Sequence, residues 1–245
     1  MTDGSSLDRG SLDGPVLEMA RSLLGARLTT VRADGTVTVR LTEVEAYGGA
    51  EDPGSHAYRG RTARNASMFG PPGHLYVYRH LGLHRCVNVV VGPAGTPAAV
   101  LLRAGEVVQG AEIAAARRSA EGVTRGPRDL ARGPARLAVA LGIEPGWDGL
   151  DLLDPAGRVR LALAEPHGGV DWTRGIVSDH DVVRDGAGTA PTHRSGPRVG
   201  VTGPGGRADR FPWRLWLADE PTVSAYRPAP ARRTTAPRPP SGTAD

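Results

Sequence analysis

The alternation of apolar and polar positions is sharpest between residues 36 and 47. There Val37, Val39, Leu41, Glu43, Glu45 and Tyr47 share one parity. In a strand, residues two apart face the same side, so a face that begins apolar ends in two carboxylates and an aromatic ring. Ionisable groups on a core-facing side are costly unless they are paired or functional. The alternative is a twist or bulge at Glu43 that returns both carboxylates to water. The pattern of this strand leaves both open.

The same patterning predicts the remaining elements. Pro15 to Leu24, closed by Gly25, has an N-terminal proline, helical apolar spacing and a terminal glycine, and reads as a short helix. Strands follow at 27–32 and 36–46, separated by the turn chemistry of Ala33-Asp34-Gly35. Residues 48–73 are loop-rich, with Gly48-Gly49, Asp52-Pro53-Gly54 and Pro71-Pro72-Gly73. His74 to Val91 reads as a hairpin: Leu75 to Tyr78 runs up, Leu81-Gly82 forms the tip, and Cys86 to Val91 returns. Ala98 to Leu102 is a continuous apolar strand closed by Arg103. Helices are predicted at 106–119 and 134–141, the second capped by Gly142. Residues 155–197 read as irregular, with strands returning at 198–202 and 213–218. With few βαβ repeats, the chain is expected to be α+β: one compact mixed domain over 15–225 with an antiparallel-rich sheet and surrounding helices. Residues 1–14 and the Pro/Arg-rich 226–245 read as disordered tails.

Composition narrows the possibilities modestly. A chain of 245 residues can bury a substantial core. No apolar run reaches the roughly 18 residues of a membrane helix, and the polar start carries no signal-peptide core. Cys86 is the only cysteine, which excludes an intramolecular disulfide and a four-cysteine zinc site. A reduced, cytoplasmic protein is the expectation. The net charge of +4 is weak evidence for an anionic partner, because Arg227, Arg232, Arg233 and Arg238 concentrate charge in the tail. All 30 basic residues other than histidine are arginines; the chain contains no lysine.

Several residues could carry chemistry. Glu45, a carboxylate at the lip of an apolar face, suits a general base. Arg103 is a single charge ending an apolar run, and needs a carboxylate, a carbonyl or solvent. Tyr47, Tyr58, Phe69, Tyr76 and Tyr78 are interleaved with His56, Arg59, Arg61, Arg64 and Asn65. That mixture suits stacking on a base and contact with phosphate, or else a core aromatic cluster. At the hairpin tip Leu81 and Leu83 flank Gly82, with Arg79, His80 and Arg85 around them. Apolar residues on a basic protruding tip resemble wedges that enter between base steps, unless they pack back onto the body. His80-x₃-His84 mimics a metal-ligand spacing, but it spans a turn and no acidic or cysteine ligand supports it. His180 lies between Asp179 and Asp181 and reads as a solvated loop.

Taken together, Glu43-Val44-Glu45-Ala46-Tyr47, Glu51-Asp52 and His56, Arg64 to Phe69, and Pro72 to Tyr78 resemble the alkyladenine (methylpurine) DNA glycosylase family. The likeness continues through Gly82, Cys86-Val87-Asn88, Leu101-Leu102-Arg103, Arg132 to Leu137 and Arg198 to Val201, and covers about residues 15–225. It implies a single mixed α/β domain with a curved antiparallel sheet. It also implies a base-excision repair enzyme that flips a damaged purine out of duplex DNA and hydrolyses its N-glycosidic bond. By position, Glu45 would activate the water, and Arg103 with a backbone carbonyl near Val199–Val201 would hold it. Tyr47, His56 and Tyr78 would sandwich the base, and Asn88 would discriminate against groups on normal purines. Leu81 stands where the family typically carries a tyrosine wedge, and Arg64 and Arg136 are candidates for the DNA backbone. The implied partner is double-stranded DNA containing damaged purines, bound by a nucleoid-associated monomer that needs no cofactor and no metal.

Two points of chemistry follow. Glu43 and Glu45 lie about 6.5 Å apart by strand rise, which superficially suggests a two-carboxylate glycosidase. Both project from one strand, whereas that mechanism needs carboxylates on opposite sides of the bond, so Glu43 reads as structural. Without lysine, the usual Schiff-base route to strand cleavage is missing. The competing expectations are a lesion-binding protein that does not excise, and a small-molecule or carbohydrate hydrolase.

Overall fold

The computed structural model describes residues 7–164 and 193–229. Among them an eight-stranded antiparallel sheet runs in the order β3-β4-β5-β2-β1-β6, with β8 joining β2 and β7 joining β8. The strands are β1 (Arg27–Arg32), β2 (Gly35–Tyr47), β3 (Leu75–His80), β4 (His84–Val90), β5 (Ala99–Gln109), β6 (Val159–Ala162), β7 (His193–Gly196) and β8 (Arg214–Leu217). Helices α1 (Val16–Ser22), α2 (Ala111–Glu121) and α3 (Pro134–Ala140) accompany them. The fold is the α+β arrangement that the alternating strands predict. None of the described helices is long and apolar enough to cross a membrane.

β2 is the axis of the sheet. Its first half pairs with β1, its last residues pair with β8, and β5 runs along its other edge. Near the middle the β2–β5 register slips: Leu41 faces Gly105, Glu43 faces Ala104, and Val44 faces Leu102. Thr42 and Arg103 fall outside the pairing. An extra residue in a strand exchanges its two faces from that point onward. The main core accordingly takes Val37, Val39 and Leu41 before the slip, but Val44 and Ala46 after it. Glu43, Glu45 and Tyr47 therefore leave the core face. The bulge suggested by the sequence is real, yet it does not return the carboxylates to water, since both are fully buried.

Beyond the slip each face has its own cover. Leu75, Val77, Val87, Val89, Val100 and Leu102 pack with Ala114, Leu137, Ala138, Leu141 and Ile143 from the helical side. On the opposite face Tyr76, Val90 and Ala99 form a smaller cluster with Ala57 and Met68 of the 48–73 segment. That segment closes with a 3-10 turn at Ala63–Phe69, where Thr62 and Asn65 cap one another.

Four sequence expectations are corrected. The helix expected from residue 106 starts only at Ala111, because Glu106, Val107 and Gln109 still pair with Arg40, Val39 and Thr38. Arg103 is an interior residue of β5, not a strand end. No strand forms at 198–202; β6 and β7 instead lie in the stretch read as irregular. The leader is not featureless either. Residues Arg9–Leu12 form a 3-10 turn with Leu12 fully buried, and Arg9 donates to the Pro72 carbonyl (2.6 Å) and pairs with Asp151 (2.7 Å). The tail beyond residue 229 and His180 lie outside the described residues.

Gly105 makes the close β2 approach possible. A Cβ there would stand 2.3 Å from Val39 Cγ1 and 2.5 Å from the Arg40 carbonyl oxygen. Gly105→Ala is expected to destabilise the fold by about 1–3 kcal/mol through overpacking, read as a lowered midpoint in urea unfolding.

Candidate active site

The face vacated by the core carries a cavity of about 340 Å³, within the range of small-ligand pockets. It is built by strict alternation. β2 supplies Glu45 and Tyr47, β5 supplies Ala99, Leu101 and Arg103, β4 supplies Cys86 and Asn88, and β3 supplies Tyr76, Tyr78 and His80. The register aligns Glu45, Leu101, Asn88 and Tyr76 in one row across four strands. His56 and Met68 enter from the covering segment, Pro134 from the start of α3, and Val199 to Thr202 from the turn after β7.

Glu45 is fully buried and well held. Its Oε1 accepts the Val199 amide N–H at 2.7 Å and lies 3.4 Å from Arg103 Nη1, while its Oε2 accepts the Tyr47 hydroxyl at 2.8 Å. Desolvation works against the charge of Arg103, but Glu45 and Glu43 outweigh it and raise its pKa. Burial, with Glu45 adding to it, drives the Tyr47 phenol well above its ordinary value. Tyr47 is therefore a neutral hydrogen-bond donor to this carboxylate.

Beneath Tyr47 lies Arg198, whose guanidinium stands 4.6 Å from the ring centroid. Arg198 is buried and bound in a bidentate pair to Asp52 (2.6 Å for each contact), and it also donates to the carbonyls of Ala46 (2.9 Å) and Gly205 (2.7 Å). Asp52 in turn accepts the amides of Gly48 and Gly54. One ion pair thus ties the end of β2 to the 48–54 loop and to the turn that delivers Val199. Breaking such a buried pair typically costs about 3–5 kcal/mol.

The aromatic wall has a different logic. His56 Nδ1 shares a 3.0 Å hydrogen bond with the Tyr76 hydroxyl, and its ring meets Tyr78 edge-on at 4.5 Å. Burial pushes the Tyr76 phenol up to about 12 and Tyr78 higher still, so both stay protonated. Asn88 donates from Nδ2 to the Tyr76 carbonyl at 2.9 Å. The Cys86 thiol is buried, which raises its pKa.

The expected Glu45, Arg103, Tyr47, His56, Tyr78 and Asn88 thus line one cavity. Leu81 does not; it stands at the hairpin tip, 80% exposed, as is Leu83. The alternative that these leucines fold back onto the body is excluded. Arg64 sits over Tyr78 at 5.7 Å, whereas Arg136 is bound to Asp129 away from the cavity lining. The turn at Val199 reaches Glu45 through the Val199 amide. Glu43 lies outside the cavity, behind Arg103. His80 and His84 are cross-strand partners in the hairpin, not a helical pair. No metal-holding cluster of His, Cys, Asp or Glu occurs among the described residues. Tyr76 and Cys86, which sequence reasoning carried only in an aromatic cluster and a family motif, and Arg198, which it gave no role, also belong to the site. The first two share the parity of Tyr78 and Asn88, which could have found them.

A carboxylate held by an arginine, an amide and a phenol, on the floor of an aromatic-walled cavity, can activate water beside a planar substrate. The sequence profile of the methylpurine-DNA glycosylase family matches residues 11–221, and the chain belongs to that family. Proteins named "Putative 3-methyladenine DNA glycosylase" are similar along most of their length. One from Streptomyces avermitilis is 47% identical over 95% of this chain and 98% of its own. One from Nocardia farcinica is 50% identical over 86% and 87%, and one from Mycobacterium tuberculosis is 47% identical over 87% and 92%.

The His56 imidazole has its pKa lowered below 6.5, first by desolvation against the tyrosines, then by Arg64 and His80. It is expected to be neutral at pH 7 and to titrate below 6.5 in histidine proton NMR. Arg64→Gln, by removing the nearby cation, is expected to move that titration upward.

Proposed function

We propose that this DNA glycosylase is a monofunctional hydrolase. In this proposal it turns a damaged purine out of duplex DNA into the aromatic cavity and cleaves its N-glycosidic bond with a water activated by Glu45, leaving an abasic site. The observation that carries the proposal is the state of Glu45. Of the roughly four lone-pair positions a carboxylate offers, two accept hydrogen bonds from Val199 and Tyr47, and a third faces the Arg103 cation at 3.4 Å. One remains for the proton of a water.

Cleavage of such a bond passes through an oxocarbenium-like sugar. The water oxygen attacks the anomeric carbon, its proton passes to Glu45, and the electrons of the breaking C–N bond leave with the purine. An alkylated purine is already cationic and departs without protonation. A neutral lesion needs hydrogen bonds to the departing base. Tyr47, His56 and Tyr78 supply the surfaces against which the base stacks. Asn88, with its Nδ2 tied to a carbonyl, can offer its oxygen to the base and occupies space that groups on normal purines would need.

The surroundings suit DNA. Residues 53–70 carry Arg59, Arg61 and Arg64 with no acidic residue, and these arginines are exposed beside the cavity, as phosphate contacts require. Leu81 is proposed as the wedge. It takes a left-handed φ of 51° while exposing an apolar side chain, a conformation that costs about 1–3 kcal/mol in a non-glycine residue. A turn selected for stability alone would carry Asn or Gly there.

The decisive measurement is single-turnover excision from duplexes carrying methylated adenine, ethenoadenine or hypoxanthine. Glu45→Gln is expected to lower the rate by about 10²–10⁴-fold while damaged-DNA binding persists; equal rates would overturn the mechanism. No borohydride-trappable adduct and no β-elimination of abasic DNA is expected from this lysine-free chain. Leu81→Asn is expected to stabilise the fold by up to about 1 kcal/mol yet slow excision, seen by comparing melting with turnover.

A further inference from the structure

The hydrolysis proposed above makes no use of the buried carboxylate of Glu43. Glu43 has no exposure, and four donors converge on it. Its Oε1 accepts from Arg214 Nε (2.6 Å), Arg103 Nε (3.0 Å) and the Ser224 hydroxyl (3.0 Å); its Oε2 accepts the Ser224 amide (2.7 Å). Arg103 is therefore shared between two carboxylates, and unequally. Its Nε edge is bonded to Glu43, its Nη2 reaches the Ser224 hydroxyl at 3.4 Å, and only the Nη1 corner approaches Glu45, at 3.4 Å.

A free arginine beside a carboxylate prefers a bidentate fork of two short bonds. A fork on Glu45 would hold its charge strongly and occupy the acceptor position that the water needs. The charges around the site also balance: Glu43 and Glu45 against Arg103 and Arg214. Arg214 is the β8 register partner of Glu45, but its side chain is drawn to Glu43 and stacks 4.6 Å from Trp216. We propose that Glu43 is a positioning residue for the Glu45 reaction, holding Arg103 and Arg214 so that neither closes on Glu45 and the carboxylate stays a competent base. The proposal rests on the hydrolytic function of Glu45.

The consequence is electrostatic and has a sign. Neutralising Glu43 leaves two guanidinium groups with one carboxylate and makes Glu45 a weaker base. Neutralising Arg214 leaves Glu43 uncompensated and has the opposite effect. The groups facing Glu45 are Arg103 from β5, Tyr47 and Glu43 from its own strand, Tyr78 from β3, Cys86 from β4 and Arg214 from β8, with Arg198 below Tyr47. His56 and His80 line the same cavity and are common to every variant. A limb that moves with Glu43 and Arg214 and is lost in Glu45→Gln belongs to the carboxylate.

The test is the pH profile of single-turnover excision from methylated duplex DNA by the wild type, Glu43→Gln, Arg214→Gln and the double variant. Glu43→Gln is expected to move the acidic limb down and to lower the plateau about 10-fold. Arg214→Gln should move the limb up, and the double variant should return it towards the wild type. Single-turnover amplitude separates folded fraction from rate. If Glu43→Gln fails to fold, the opposed behaviour of Arg214→Gln and the double variant still decides. Active variants whose acidic limbs coincide with the wild type would overturn the proposal and leave Glu43 a scaffold. A wild type that excises nothing would overturn the function itself.

Discussion

A carboxylate withdrawn from water loses several kcal/mol of hydration unless a cation and hydrogen bonds replace it. This fold buries three together: Glu43, Glu45 and Asp52, each without exposure. Arg103, Arg198 and Arg214 are buried with them, and each reaches a carboxylate or carbonyl on a different element. Around the cavity, loops are located less by apolar packing than by these charges. The Arg198–Asp52 pair fixes the 48–54 loop, and through Ala46 it fixes the end of β2. Glu43 fixes the chain at Ser224. Guanidinium, with its fixed fork of donors and weak hydration, suits such burial better than an ammonium group, which fits a chain whose cations are all arginine.

The charges can sit there because β2 changes faces in mid-strand. A regular strand would have driven Glu43 and Glu45 into the helical core beside Leu41, with no room for three arginines. The slip at Thr42 and Arg103 turns them outward to the face covered by the 48–73 segment, where a cavity rather than a core is formed. It also explains why Arg103 can touch both carboxylates: it is the unpaired residue of β5 at the same level. Packing on one face and the cavity on the other then share four strands with little interference, since alternate residues serve each.

Legibility in the sequence followed the range of the interactions. Strand alternation, the Ala33-Asp34-Gly35 turn, the hairpin and α3 were legible because turn residues and period-two patterning act over a few positions. The helix start at Ala111 was misjudged, because Glu106 to Gln109 are held in β5 by partners some 70 positions earlier in β2. Leu12 and Arg9 in the leader carry no local pattern at all; the core and the Gly92 amide hold the first, and Asp151 and Pro72, far along the chain, hold the second. The paired Leu81 and Leu83 were visible as an anomaly, but only the folded hairpin separates protrusion from packing.

Residue identities alone were enough for the class of chemistry. Glu45, Arg103, the tyrosines and Asn88 are ordered along the chain in the manner of one family, and a chain without lysine cannot use a lysine Schiff base. What they could not convey is which groups act on one another. Glu45 is met by the Val199 amide, the Tyr47 hydroxyl and one corner of Arg103, and Glu43 stands behind that arginine rather than in the cavity. Those relations arise from a register slip, a cross-sheet row and buried ion pairs. Most of them join residues from about sixty to more than a hundred and fifty positions apart, which no local spacing encodes.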